Sequence, residues 1–231
     1  MNPSYEQHLH LVSFSVPYPP DYNALVDVYY QIKSFHDTGI KVHLHCFKNG
    51  KTQPKELEEI CHSIQYYSKA SYINALYARV PVSVGARQSN ELLSNLSKDD
   101  YPVLFQGLHT CFYLNHKQIE HKKKFVRLHN IEWEYLRSLG TEAGNYFRKM
   151  YLLFEARKCK EFESLLSFAN GIFCISQSDY EYFSSNFTKV HLVPAFHSSD
   201  EVKVPEGVGK YAFYHGNLQA VENHKAAMYL S

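Results

Sequence analysis

Polar residues whose types suit work on a hydroxyl-bearing substrate stand where short apolar runs end. His129, Asn130 and Glu132 follow Phe125-Val126-Arg127-Leu128, and Gly107-Leu108-His109-Thr110 follows Pro102-Val103-Leu104-Phe105. An imidazole at the mouth of a strand can donate to a developing charge or hold a hydroxyl, which makes His129 the candidate catalytic residue, with His109 in a similar position. Glu132 and Glu134 also suit a helix N-terminus, where the dipole favours carboxylates. Ser15 to Asn23 and Ser176-Gln177-Ser178 are polar in the same way after two further runs. A single polar strand end only says that the chain meets water there; several together carry the argument. The sequence has no Walker loop, no GxGxxG and no readable Ser-His-Asp order, so nucleotide hydrolysis and NAD-dependent redox chemistry lose support. Histidine occurs 14 times but never as HExxH. His43 and His45 share one face of a strand and read as partly buried, hydrogen-bonded side chains, so no metal is expected.

The elements that must position these residues alternate from the start. Leu9 to Phe14 reads as a strand ended by Pro17-Tyr18-Pro19-Pro20-Asp21. Leu25, Val28, Tyr29, Ile32 and Phe35 then have helical spacing, with Asp21 or Asn23 as N-cap and Gly39 past the end. Lys41 to Phe47 is the next strand, completing a βαβ unit. Further strands are expected at Ser63 to Tyr67, Pro102 to Phe105, Phe125 to Leu128, Gly171 to Ile175 and Val190 to Val193. Helices are expected near 54 to 61, Asn90 to Leu96, about Asn145 to Phe168, and Ser178 to Phe187. The long helix is expected to pack by Phe147, Met150, Tyr151, Phe154, Phe162, Leu165 and Leu166. The fold class is therefore α/β: a Rossmann-like parallel sheet of about seven strands with helices on both faces. In such sheets ligands bind outside the carboxyl ends of the strands.

Composition narrows the classes further. The 231 residues are 45% hydrophobic and 15% aromatic, enough for a sizeable core. A net charge of +1 gives no field for steering onto nucleic acid, so no nucleic-acid partner is expected. The run His121-Lys122-Lys123-Lys124 reads as a solvated loop, with contact to an anionic membrane surface as the alternative. No apolar stretch suits a spanning helix and the N-terminus lacks a signal-peptide pattern, so the expected location is cytoplasmic. Five scattered cysteines without CxxC spacing fit reduced thiols. Three regions are expected: a first domain over 1–197, a linker over 198–210, and a strand-turn-helix over 211–231 that reads as the truncated start of a second domain.

Taken in order, several segments resemble one family. Val16-Pro17-Tyr18-Pro19-Pro20, Thr38 to Leu44, Gly107-Leu108-His109-Thr110, Arg127 to Glu132, Ala169 to Ser176 and Tyr214-His215-Gly216-Asn217-Leu218 with Glu222-Asn223 are similar to the N-terminal part of a GT-B glycosyltransferase of family 4 (glycosyl transferases group 1), especially bacterial enzymes of surface polysaccharide synthesis. The resemblance implies a retaining, metal-independent enzyme without cofactor, moving a sugar from a nucleotide-diphosphate sugar to a glycan or lipid-linked acceptor, with peripheral attachment to the inner membrane face allowed. It implies that His129 is a hydrogen-bond donor beside the transferred sugar, that His109, Asn130 and Glu132 shape the acceptor pocket, and that Pro20, Asp21, Tyr22, Asn23 and Ala24 form a loop near the donor diphosphate. Gly216 and Asn217 would form a loop of the second domain. Many members have Gly-Gly where this chain has Asn23-Ala24, which limits close approach of a phosphate. Glu155 and Glu163 have the spacing of the family's E-x7-E motif but lie in the first domain, so they read as surface or helix-packing carboxylates. Catalysis is expected to need the whole two-domain protein. The rival class is a non-catalytic Rossmann-like interaction module; a flavodoxin-like or response-regulator domain would have fewer strands and an acidic cluster that this chain lacks.

Overall fold

The computed structural model describes all residues except 1–5, 22, 49–52, 72–74, 76–78, 200, 202, 204–206, 212, 215, 217, 219–220 and 231; the side chains of 23, 221 and 222 are likewise not described. Contacts divide the chain into two units, 1–198 and 199–231.

The first unit is built on β1 (His8–Ser13), β2 (Lys41–Lys48), β3 (Ser63–Ser68), β4 (Val103–Gln106), β5 (Lys124–Leu128), β6 (Gly171–Cys174) and β7 (Val190–Leu192). These form one seven-stranded sheet in the order β3-β2-β1-β4-β5-β6-β7. Every pairing is parallel, with Leu11 opposite Leu44 and Leu104, and Val126 opposite Phe105 and Ile172. A parallel sheet covered on both faces reads as short continuous apolar runs, and all four residues of β4 are buried. The helices α1 (Asn23–Asp37) and α2 (Lys55–Ile60) cover one face, where Val28, Ile32 and Leu57 pack on Leu11, Val42, Leu44 and Leu104. On the other face lie α3 (Val82–Gly85), α4 (Asn90–Leu96), a 3₁₀ helix (Leu108–Tyr113), α5 (Glu132–Glu142), α6 (Tyr146–Phe162) with its 3₁₀ extension Glu163–Phe168, and α7 (Gln177–Ser184). Leu92, Leu96, Cys159, Phe162, Leu166 and Phe183 join Val12, Phe105 and Val126 there.

The helix ends follow their sequence signals. Gly39, at φ +83°, ends α1 with the Gly39 N–H on the His36 carbonyl and the Ile40 N–H on the Phe35 carbonyl. This is a Schellman closure, for which the left-handed glycine is suited. The Asn145 side chain caps α6 by accepting from the Arg148 N–H at 3.0 Å. Helix α5, which hydrophobic periodicity does not mark, packs back on α6 at Gly140, where a Cβ would come within 3.2 Å of Leu153.

Two expectations are corrected. Helix α6 packs by only the last part of the expected stripe: Phe162 and Leu166 are buried and Leu165 packs on the core, but Phe147 is 82% exposed, Phe154 60% and Met150 49%. Its buried face runs through Leu152, Glu155, Ala156, Cys159 and Phe162, continuing to Glu163 and Leu166. Hydropathy misplaced it because two carboxylates sit on that face. Glu155 accepts from the Val82 N–H at 2.6 Å and from Lys158 at 2.9 Å, while Glu163 accepts from the Tyr182 hydroxyl at 2.8 Å through Oε2 and buries Oε1 without a partner among the described residues. Nor is the basic run a solvated loop. Lys122 is buried against Asp99 at 3.0 Å, and Lys124 is buried as the first residue of β5; His121 and Lys123 alone of the four are exposed.

In the second unit, α8 (Val221–Leu230) forms where a helix is expected. Of the expected strand Tyr211 to Tyr214, the described residues 211, 213 and 214 are not in a strand, and Ala212 lies outside the described residues. Tyr214 instead turns its hydroxyl onto the Asn223 carbonyl at 3.1 Å, so the segment closes on its own helix.

Candidate active site

The site grows from the carboxyl ends of the central strands. Asp27, on α1 and 1% exposed, receives a two-pronged bond from Arg127 on β5, with Nε 2.6 Å from Oδ2 and Nη2 2.8 Å from Oδ1. The Phe196 N–H donates to Oδ1 at 2.7 Å. Arg127 is wholly buried; it also donates to the Val193 and Pro194 carbonyls and lies over the Phe196 ring at 5.2 Å. Burial alone would raise the Asp27 carboxyl, but Arg127, His129 and the Phe196 N–H outweigh it and hold the carboxyl at about 2. It is therefore an anion at neutral pH, compensated by a fixed fork of donors.

His129, the first residue after β5, places Nε2 3.0 Å from Asp27 Oδ2. Against an ionised carboxylate that nitrogen carries the proton, which assigns the neutral ring's lone pair to Nδ1. Nδ1 lies on the side of Gly107, 4.0 Å from where a Cβ would stand there. Gly107 adopts φ +73° and brings the backbone between two imidazoles, since the same Cβ would be 3.5 Å from His109 Cδ2. Both rings meet Phe14 edge-on, with centroids at 5.9 Å for His109 and 6.1 Å for His129. This orientation bears on the expected role of His129: as a neutral ring it accepts from a hydroxyl at Nδ1, and it donates there only when protonated.

Beside it is a cleft of about 240 Å³ lined by Ser83, His109, Asn130, Glu132, Tyr135, Leu136, Tyr151 and Glu155. His109 Nε2 lies 3.2 Å from Glu132 Oε1. Burial pushes Glu132 upward, yet His109 first, then His129 and Arg87, bring it below the ordinary carboxylate value. The Asn130 Oδ1 is buried without a hydrogen-bond partner among the described residues, an orphan that a ligand donor would satisfy. A larger concavity of about 480 Å³ lies against edge strand β3, lined by Lys48, Glu58, Cys61, His62 and Tyr66 among others. None of His109, His129, Asn130 and Glu132 lines it.

The structure thus brings His109, Asn130 and Glu132 into one cleft, with His129 next to it. Pro20, Asp21 and Ala24 precede or begin α1, whose Asp27 ties that helix to His129. Tyr22 lies outside the described residues, and so does the side chain of Asn23, the first residue of α1. Gly216 belongs to the second unit, with Tyr214 Oη 3.1 Å from where its Cβ would stand, and Asn217 lies outside the described residues. The sequence reading missed Asp27, Arg127, Tyr135, Tyr151 and Ser83, while Glu155 takes the helix-packing one of its two expected places. Asp27 carries one signal in hindsight: with Gln31 it flanks the apolar stripe of α1, four residues apart, and Gln31 is also buried.

Strand order and helix placement define the class: a Rossmann-like α/β domain with a polar cleft at the carboxyl ends of its strands. No protein-family profile matches the chain. A curated Klebsiella pneumoniae protein, described as an uncharacterized 44.6 kDa protein in cps region, is 25% identical over 152 residues, which covers 63% of this chain and 39% of that protein. Among solved structures, TcCGT1 in complex with UDP is similar at 12% identity and a TM-score of 0.48, covering 89% of this chain and 54% of that one. A UDP-glucosyltransferase from Polygonum tinctorium is similar at 10% identity and a TM-score of 0.46, covering 85% and 54%. The chain spans about half the length of these two structures and 39% of the curated relative.

Proposed function

We propose that this chain is the acceptor-binding part of a GT-B glycosyltransferase that moves a sugar from a nucleotide-diphosphate sugar to a glycan or lipid-linked acceptor. The observation that carries the reading is the Arg127–Asp27–His129 relay beside the cleft of His109, Asn130 and Glu132. It fixes one imidazole with a lone pair toward the strand ends, next to acceptors and donors that suit sugar hydroxyls. The family resemblance of the strand-end motifs supports the same reading, and the cps-region relative supports a setting in surface polysaccharide synthesis.

In this reading the bond from the anomeric carbon to the diphosphate breaks and the bond to the acceptor oxygen forms. The acceptor hydroxyl hands its proton to the diphosphate oxygen that leaves from the same face of the sugar, so the configuration is retained as the nucleoside diphosphate departs. His129 holds a sugar hydroxyl at Nδ1 while Asp27 fixes the ring through Nε2, so the imidazole positions that hydroxyl. Glu132 with His109, and Asn130, seat the acceptor. Retention of configuration, independence of metals and a cytoplasmic location come with the resemblance and belong to the proposal. Among the described residues no helix is long and apolar enough to cross a membrane. Membrane attachment through the His121 to Lys124 run is not part of the proposal, because Lys122 and Lys124 are buried.

The test is sugar transfer by the full-length gene product, assayed with a panel of nucleotide-diphosphate sugars. His129→Ala and Asp27→Asn should each lower turnover by about 10²-fold or more, with the circular dichroism spectrum retained. Transfer at the parental rate by His129→Ala would sink the role.

A further inference from the structure

The opposite end of the sheet carries a second group of histidines that sugar transfer does not use. His8 opens β1, His43 is the third residue of β2, and His62 immediately precedes β3, so the order β3-β2-β1 sets them side by side at the amino ends of three neighbouring strands. Deeper in, His10 and His45 are spoken for. His10 Nδ1 meets His45 Nε2 at 2.8 Å, His10 Nε2 meets Asp99 at 3.0 Å, and His45 Nδ1 meets the Tyr67 hydroxyl at 2.7 Å.

The outer three are arranged differently. His43 Nδ1 lies 2.8 Å from Ser63 Oγ, and its Nε2 faces His8 Nδ1 at 2.9 Å. Only one proton fits between those two nitrogens. The far nitrogen of His8, Nε2, lies 3.7 Å from Glu6 Oε2. Tyr101 stacks on His8 at 4.4 Å and 10°, and on His43 at 5.6 Å and 16°, which aligns the two ring planes. His62 is exposed and stands edge-on to both rings, at 5.3 Å from His8 and 5.0 Å from His43. One nitrogen from each of the three lies within 4.8 Å of the others.

We propose that His8, His43 and His62 bind one divalent ion of the zinc class, with the fourth position open to water. The donor set is that of a borderline metal, three neutral imidazoles without thiolate. Two ligands bonded to zinc at about 2.0 to 2.1 Å lie roughly 3.4 Å apart in a tetrahedral site, so the ion replaces the shared proton and opens the His8–His43 pair by about half an ångström. One outer contact matches a ligand set: Ser63 Oγ faces the far nitrogen of His43 at 2.8 Å, the kind of partner that fixes a ligating tautomer, while the exposed Glu6 adds a nearby negative charge. Behind the site the Lys122 charge is compensated by Asp99 at 3.0 Å. The ion would clasp the starts of β1, β2 and β3 together. This site is remote in the sheet from the sugar cleft and does not depend on that reading.

Titration of the purified chain with Zn²⁺, and with Co²⁺ for its visible absorption, tests the proposal. The expected result is one ion per chain, the intensified visible bands of four-coordinate cobalt, and a melting temperature raised by about 5 to 10 °C at an ion concentration about 100-fold above Kd. His62→Ala should keep the parental circular dichroism, because His62 is exposed, and weaken binding by at least about tenfold. His8→Gln serves as the second variant, with the same expected loss. The proposal is overturned if the chain takes up no ion, or if both variants bind Zn²⁺ as tightly as the parent.

Discussion

Histidines gather at both ends of one sheet, and the two ends hold them by different means. At the carboxyl end each imidazole faces a carboxylate, His129 the buried Asp27 at 3.0 Å and His109 the half-buried Glu132 at 3.2 Å. At the amino end imidazoles face one another in the His8–His43 and His10–His45 pairs, and among the described residues only the deeper His10 also meets a carboxylate at hydrogen-bond distance, Asp99 at 3.0 Å. Burial lowers His43 to about 4, with His10, His62 and His8 adding to the effect, and it lowers His45 still more decisively. An ionised carboxylate fixes one ring nitrogen as a donor and leaves the other to face a substrate, which suits hydroxyl recognition. Imidazoles packed against each other stay neutral and keep lone pairs, which suits a metal ion. The same residue type thus serves two chemistries according to whether its partner is an anion or another imidazole.

The strongest way to break the carboxyl end is to remove its cation. Arg127→Met leaves the Asp27 charge buried without its fork of donors and should cost about 3 to 5 kcal/mol, read from denaturant unfolding. Asp27→Leu added to Arg127→Met should recover much of that loss; a single variant as stable as the parent would show that the pair is not what holds this end. Acid sharpens the contrast next. The Asp27 carboxyl sits at about 2 when folded against an ordinary 3.8, so its stabilisation is complete above pH 3.8 and is lost as the pH falls toward 2. The melting-temperature gap between the parent and Asp27→Asn should therefore be constant above about pH 5 and narrow below it. A gap that widened on acidification would reverse the assignment. Glu132→Gln weakens the hold on His109 and should raise the acceptor KM about tenfold with a smaller change in kcat, in transfer assays of the full-length protein. The smallest effect lies outside both ends: Phe147→Ser should change stability by no more than about 0.5 kcal/mol, because that ring is 82% exposed.

Much of this architecture is legible in the sequence, for a physical reason. Strands buried on both faces show as short apolar runs such as Val103-Leu104-Phe105, and a parallel sheet puts the residue after each run at the same end. That is how His109, Asn130 and Glu132 are found together without knowledge of any contact. What periodicity hides is the polar residue on a packing face. Asp27 inside α1, Arg127 inside β5, Glu155 on α6 and Glu163 at the start of its 3₁₀ extension are all buried, and each has a partner distant in sequence. The aromatic residues of α6 mislead for the complementary reason, since an apolar stripe does not say which part of a helix has something to pack against. The grouping of His8, His43 and His62 is equally hidden, because it depends on strand order and not on spacing.

The central claim is that sugar chemistry belongs to the carboxyl end and its Asp27-held His129. The most direct measurement is the nitrogen-15 NMR spectrum of the histidine rings in the full-length protein, titrated with the nucleotide sugar and acceptor that support turnover. The account predicts that the His129 and His109 signals move on addition of these substrates while those of His8, His10, His43 and His45 stay in place. Substrates that moved the amino-end rings and left His129 and His109 unchanged would contradict it.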